Sequence, residues 1–210
     1  AAPRTVRVMT LGTGDATLNR AGNDFGGAVT VNSGGAINIK DDTTGVLLGN
    51  VNAASLTVNT STDNGSITQD VGTTVVTTNA ALTNALNAGT GAITLDNNAN
   101  NLVGRTDLTG GTVSVKDDTG GLVLGNVSAA SLAVNTGADN GPLSQATGTS
   151  VSVTGVTTLN TGTGSITLGN GGNNLVGQVD VTGGAVSLKD DTGGVVLGNV
   201  SAASVDVNTA

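Results

Sequence analysis

The 210-residue sequence predicts an all-β chain folded as a right-handed parallel β-helix, a β-solenoid of about 19–20 residues per coil. Three observations carry this. Lys-Asp-Asp-Thr occurs three times, at Lys40–Thr43, Lys116–Thr119 and Lys189–Thr192, and each copy opens nearly the same phrase: DDTTGVLLGNVNAASLTVNT, DDTGGLVLGNVSAASLAVNT and DDTGGVVLGNVSAASVDVNT. Within that long repeat, short apolar-x-apolar triplets recur at a spacing close to the length of one coil. Composition supplies the third: 34 Gly, no Trp, Tyr, Cys or His, a single Phe25, and 37% hydrophobic residues that are almost all Val, Ile, Leu and Ala. Such a chain has no aromatic core, yet it is too apolar and too regularly alternating to stay disordered.

The spacings of the copies are 76 (116 minus 40) and 73 (189 minus 116), and the difference falls between Gln69 and Ile93 against Gln145 and Ile166. An indel confined to one loop leaves the rest in register. Residues 1–210 are therefore expected to form a single rod of roughly 2.8 superrepeats. Neither Ala1 nor Ala210 belongs to an evident cap, so the expectation is an excerpt of a longer shaft or a unit that stacks end to end.

Taken in order, the triplets are Ile37-Asn38-Ile39, Leu56-Thr57-Val58, Ile93-Thr94-Leu95, Val113-Ser114-Val115, Leu132-Ala133-Val134, Val151-Ser152-Val153, Ile166-Thr167-Leu168, Val186-Ser187-Leu188 and Val205-Asp206-Val207. The long step from Leu56 to Ile93 is filled by Val75-Val76-Thr77. A three-residue alternation bounded by Gly, Asn and Asp is a short strand with two side chains in and one out. Like triplets stacked on like require parallel strands with a full turn of chain between them, and Val46-Leu47-Leu48, Leu122-Val123-Leu124 and Val195-Val196-Leu197 supply further strands within a turn. The apolar members of the first eight triplets point inward, and Asn38, Thr57, Thr94, Ser114, Ala133, Ser152, Thr167, Ser187 and Asp206 form an outward column. Just past the strands runs a column Lys40, Asn59, Asp96, Lys116, Asn135, Thr154, Gly169, Lys189, Asn208, in which Asp96 is expected to pair with Lys116. Gly34-Gly35, Gly110-Gly111 and Gly183-Gly184 mark corners, as do Asn23-Asp24, Asn100-Asn101 and Asn173-Asn174, each asparagine being expected to face solvent, with amide ladders inside the stack as the alternative.

The phrases Asn23 to Val31 (NDFGGAVTV), Gly65 to Gln69 (GSITQ), Gly91 to Leu95 (GAITL) and Gly164 to Leu168 (GSITL) resemble the repeats of filamentous-haemagglutinin-type exoproteins and autotransporter passenger domains. The resemblance covers essentially the whole chain. It implies a secreted bacterial cell-surface protein, an adhesin shaft or fibre of β-helical fold. The sequence departs from that family in having no recognisable secretion domain, C-terminal barrel or receptor-binding insertion.

Several chemistries are excluded by composition. Without Cys and His the usual zinc, copper, iron and haem ligand sets are missing, along with Cys and His catalysis, so no cofactor is expected. A net charge of -8 with seven Lys+Arg and no aromatic platform argues against nucleic acid. No run approaches eighteen apolar residues, so no membrane-spanning helix is expected. The N-terminal AAPRTVRVMTL lacks the long apolar stretch of a signal peptide.

The paired carboxylates Asp41-Asp42, Asp117-Asp118 and Asp190-Asp191 are the candidate site, read as turn caps first, calcium ligands second and glycoside-cleaving acids third. Successive pairs are expected roughly 19 Å apart at ~4.8 Å per coil, too far to share one ion or one glycosidic bond. Asn126-Val-Ser128, Asn199-Val-Ser201 and Asn59-Thr-Ser61 are glycosylation sequons of a kind that chance supplies in so Asn-rich a chain. The expected function is a non-catalytic structural shaft. The alternatives are a module that binds host or matrix glycans and a polysaccharide-cleaving enzyme.

Overall fold

The computed structural model describes residues 7–209, the first two of them by their backbone; the termini Ala1 and Ala210 lie outside the described residues. It is all β: no helix occurs among the described residues, and parallel strands stack as a solenoid of about 10 turns. The strands are β1 (Arg7–Thr10), β2 (Ala16–Leu18), β3 (Val29–Asn32), β4 (Ala36–Lys40), β5 (Gly45–Ala53), β6 (Ser55–Asn59), β7 (Ser66–Gln69), β8 (Val75–Thr77), β9 (Thr83–Asn87) and β10 (Ile93–Leu95). They continue as β11 (Asn101–Leu102), β12 (Arg105–Lys116), β13 (Leu122–Asn135), β14 (Leu143–Gln145), β15 (Val151–Val153), β16 (Thr157–Asn160), β17 (Ile166–Leu168), β18 (Asn174–Leu175), β19 (Gln178–Lys189) and β20 (Val196–Asn208).

Like residues stack on like because each coil hands its unpaired N–H and C=O groups to the next. One stack carries Val46, Ile67, Ile93, Val113, Leu132, Thr157 and Val179 in register. A second carries Val31, Val51 and Val75, and ends with Leu102 above Thr77. A third carries Leu18, Ile39, Val58, Leu86, Leu108, Val127 and Val151. A fourth begins inside β13 and carries Leu122, Leu143, Ile166, Val186 and Val205. All sixteen residues expected to point inward, from Ile37 to Leu188, are buried, and none of the nine expected outward residues is.

Two register expectations fail. Val75 pairs with Val51 on a different stack, and Leu56 is instead covered through the pairing of Thr57 with Ala85. Val151 likewise sits over Val127, while Leu132 is covered by Thr157. The reason is that coil length varies: the coil from Thr106 to Leu124 is short (124 minus 106), that from Thr57 to Ala85 long (85 minus 57). A triplet's distance along the chain therefore does not fix its stack. The three-residue indel lies in the turn from β8 to β9: Thr77 to Leu86 is 9 residues (86 minus 77), whereas Val153 to Leu159 is 6 (159 minus 153). The Asp96–Lys116 pair also does not form: the Lys116 ammonium lies 3.4 Å from Asp118 and is hydrogen-bonded to Asn98, and Asp96 is exposed.

The core is one continuous aliphatic column from Ala16 to Leu188. Its end at β20 is open, with Val196, Leu197, Val200 and Val205 exposed where the equivalent residues of β13 lie beneath β14–β16. Ile93 is fully buried, so Ile93→Ala is expected to cost about 2–5 kcal/mol in a chemical-denaturation experiment followed by far-UV circular dichroism. Thr157 buries a hydroxyl that has no hydrogen-bond partner between Leu132 and Val179. Thr157→Val is therefore expected to raise stability by roughly 1 kcal/mol in the same experiment.

Candidate functional site

The Lys-Asp-Asp-Thr corners are where the solenoid loses a stack. β11 rests on β8, but the next coil passes over it at Asp117 without a strand, which leaves the Leu102 N–H without a strand partner. Asp117 Oδ2 accepts that N–H at 2.6 Å, while Oδ1 accepts the Thr119 N–H at 3.1 Å and so folds the chain into its turn. Asp190 repeats the arrangement, accepting from Leu175 at 2.6 Å and from Thr192 at 2.8 Å. Asp41 accepts from Phe25 at 2.8 Å and from Thr43, Thr44 and Gly45 at 3.0, 3.1 and 3.3 Å. A carboxylate fits because it offers two acceptor oxygens, one for the strand below and one for the turn. All three are buried, with exposures of 0%, 0% and 1% for Asp41, Asp117 and Asp190.

The second aspartate of each pair goes the other way. Asp42 and Asp118, half-buried, and Asp191, exposed, stand beside the lysine two residues before them, at 3.0, 3.4 and 3.4 Å. Asp42 also accepts the Gly22 N–H, and Asp118 the Ala99 N–H, each from the coil below. The Lys40 ammonium holds the Asp42 carboxyl below its ordinary range. Burial pushes the Asp41 carboxyl upward, but its four main-chain donors outweigh that and leave it lowered.

A stack that ends must be replaced, and the Leu-Gly-Asn-Val phrase does this. Val29 and Val31 lie under Leu48 and Val51; Thr106 and Leu108 under Leu124 and Val127; Val179 and Val181 under Leu197 and Val200. Each is a bulge, one residue below facing Gly-Asn above, and it spreads one strand into two. The residue below completes the joint: Asp107 accepts the Asn126 N–H at 2.8 Å and Asp180 the Asn199 N–H at 2.6 Å. Asn199's main-chain N–H holds the Asp180 carboxyl below its ordinary range. Gly125 has to be glycine because a Cβ there would run into Asp107 Oδ1. The phrase is plain in the sequence, but only the pairing register gives it a meaning.

The expectation that the corner asparagines face solvent is corrected at two of them. Asn100 and Asn173 are both 0% exposed. Asn173 Oδ1 accepts from Gln145 Nε2 at 2.7 Å and from the Val151 N–H at 2.8 Å, and Nδ2 donates to Gln145 Oε1, Leu168 O and Lys189 O. Asn100 makes the matching reciprocal pair with Gln69 at 2.7 and 2.9 Å. The amide can accept from one coil and donate twice to others from the same point. Gln69 and Gln145 carry no alternation signal of their own, and their equivalence one superrepeat apart is the trace that could have found them.

The same unit thus repeats along the chain, and a family model follows it, matching residues 5–32, 34–109 and 110–182 in three consecutive segments. The chain belongs to the family described as repeats of unknown function (DUF5649). Comparison with curated proteins and with solved structures found no match. Two of the DUF5649 matches, 34–109 and 110–182, have the length of one superrepeat each (76 and 73 residues) and begin at the equivalent corners Gly34 and Gly110.

The six aspartates proposed from sequence are therefore not brought together. Asp117 and Asp190 lie over the ends of two different stacks, at Leu102 and Leu175, and Asp41 lies over Phe25, which belongs to no strand. No group of three or more acidic side chains able to hold a metal ion occurs among the described residues. No helix of the described residues is long and apolar enough to cross a membrane.

Asp41→Ala is expected to cost about 2–3 kcal/mol at pH 7, since it orphans buried N–H groups. Because its carboxyl is lowered from 3.8, that contribution is present above pH 3.8 and is lost as the pH falls through the lowered value, so the difference between wild type and variant should vanish in acid. Asn173→Ala is expected to cost roughly 2–4 kcal/mol by denaturant titration, for the same reason.

Proposed function

We propose that this DUF5649 chain is a structural, non-catalytic length of extracellular β-helical shaft on a bacterial surface, of the kind its repeat phrases resemble in filamentous-haemagglutinin-type exoproteins and autotransporter passengers. One observation carries the reading: the chain's recurrent polar residues are consumed by the scaffold. The first aspartate of each corner is buried and bonded to main-chain donors, the second is paired with lysine, and the corner amides Asn100 and Asn173 bond to Gln69 and Gln145. What remains is a rod of ten or so coils, roughly 50 Å long at ~4.8 Å per coil, whose backbone groups are tied to neighbours above and below. Such an element resists local unfolding and offers proteases few loops.

A second reading, contact with glycans along the outer surface of a stack, rests on an open groove of about 440 Å³ lined by Asp96, Lys116, Asn135 and Asn160 among others. It predicts a glycan-array signal that Lys116→Ala abolishes. Immunogold labelling of intact cells that make the protein tests the shaft. Label is expected at the surface, with its distance from the membrane shortened when one superrepeat, residues 117–189, is deleted in frame. Label confined to the cell interior, or turnover of a polysaccharide by the purified chain, would overturn the reading.

A further inference from the structure

The three buried aspartates do one job with unequal support. Asp41 holds four main-chain N–H groups; Asp117, equally buried, holds two. The cause lies in the turn. Where Asp41 takes the N–H of Thr44, the corresponding N–H at Gly120 is drawn 2.6 Å to Oδ2 of Asp139, in the coil above. Asp139 also accepts the Gly141 N–H at 3.0 Å, which fixes its carboxylate over the corner.

The charges around Asp117 are correspondingly one-sided. On its own segment stand Asp118, whose Oδ1 is buried without a hydrogen-bond partner, and Lys116, whose ammonium is engaged by Asp118 and Asn98. From above comes Asp139, and the turn below contributes the exposed Asp96. Asp117, Asp118 and Asp139 thus meet at the point where a stack ends, and the Lys116 ammonium beside them is engaged by Asp118.

We propose that the corner built from Asp117, Gly120 and Asp139 is an acid-responsive joint, which mild acidification makes more cohesive while leaving the equivalent corner at Asp41 without that gain. Burial is the main reason the Asp117 carboxyl sits at about 6; the Leu102 and Thr119 N–H groups offset it only in part, and the Asp139 and Asp118 charges add to it. The sign follows from a folded value raised above 3.8. The contribution to stability is fully present below pH 3.8 and is lost as the pH rises through about 6. Asp41, lowered, contributes in the opposite sense and at lower pH.

Carboxyl carbon NMR titration of the full chain tests this directly, with Asp117 expected to titrate near 6. The melting midpoint followed by circular dichroism should be higher at pH 5 than at pH 7 by roughly 2–4 °C. Asp139→Asn should shrink that difference. Asp63→Asn, which removes the same charge from the equivalent turn of the first superrepeat, should leave it unchanged. An Asp117 carboxyl titrating near 3.8, or two variants with the same pH response, would overturn the proposal. Should Asp139→Asn fail to fold, the titration of the unaltered chain decides alone.

Discussion

A parallel stack of strands cannot simply stop, because its last strand is left with N–H groups that no further coil accepts. Everything distinctive about this chain answers that constraint. An unsatisfied buried donor costs about 1–3 kcal/mol, comparable to burying a whole aliphatic side chain, so a stack ends only where a strong acceptor is built in. Asp117 and Asp190 are those acceptors, taking the buried N–H of Leu102 and Leu175, and Asp41 takes that of Phe25 at the equivalent corner. The lysine and the second aspartate then hold the turn at the surface, where an ion pair adds little energy but fixes geometry.

The loss of one stack and the division of another are linked events. Between Asp117 and Asn135 the chain closes the stack that ended at Leu102, turns, and opens a new one through the bulge at Gly125-Asn126. That coupling explains why the superrepeat is not a whole number of coils. It also explains the identity of the phrase that follows each Lys-Asp-Asp-Thr: a stretch with two topological tasks tolerates less change than one that only continues a ladder. The variable part is the turn from β8 to β9, which performs neither.

Much of this is legible in the sequence. Alternation of apolar and polar residues specifies which side chains enter the core, and it does so for Ile37 through Leu188 without error. Alternation does not say which stack a strand joins, since Val75 alternates like Leu56 yet lies on another side of the rod. Nor does it reveal polar groups that belong inside. Asn100 and Asn173 look like corner residues by type, and their burial depends on Gln69 and Gln145 arriving from the coil below, a long-range pairing that no local pattern contains. The paired aspartates stand out as turn caps from their recurrence alone; the separate fates of their two members become visible only with the strands beneath them in place.

The changing of stacks also bears on what the surface is for. Ser114 is equivalent to Asn38 and to Ser187, yet it stands on the stack of Ile93 and Leu132, while Asn38 shares a strand with Ile39 and Ser187 with Val186. Successive superrepeats therefore place equivalent outward residues on different sides of the rod. A ligand-binding strip would gain by keeping its repeated residues in one line, where neighbouring sites raise the effective concentration for one another. A shaft gains instead from distributing its lost and divided stacks around the axis, so that no single side accumulates the joints. The arrangement in this chain is the second kind, and it favours reading the repeats as construction rather than as a row of binding sites.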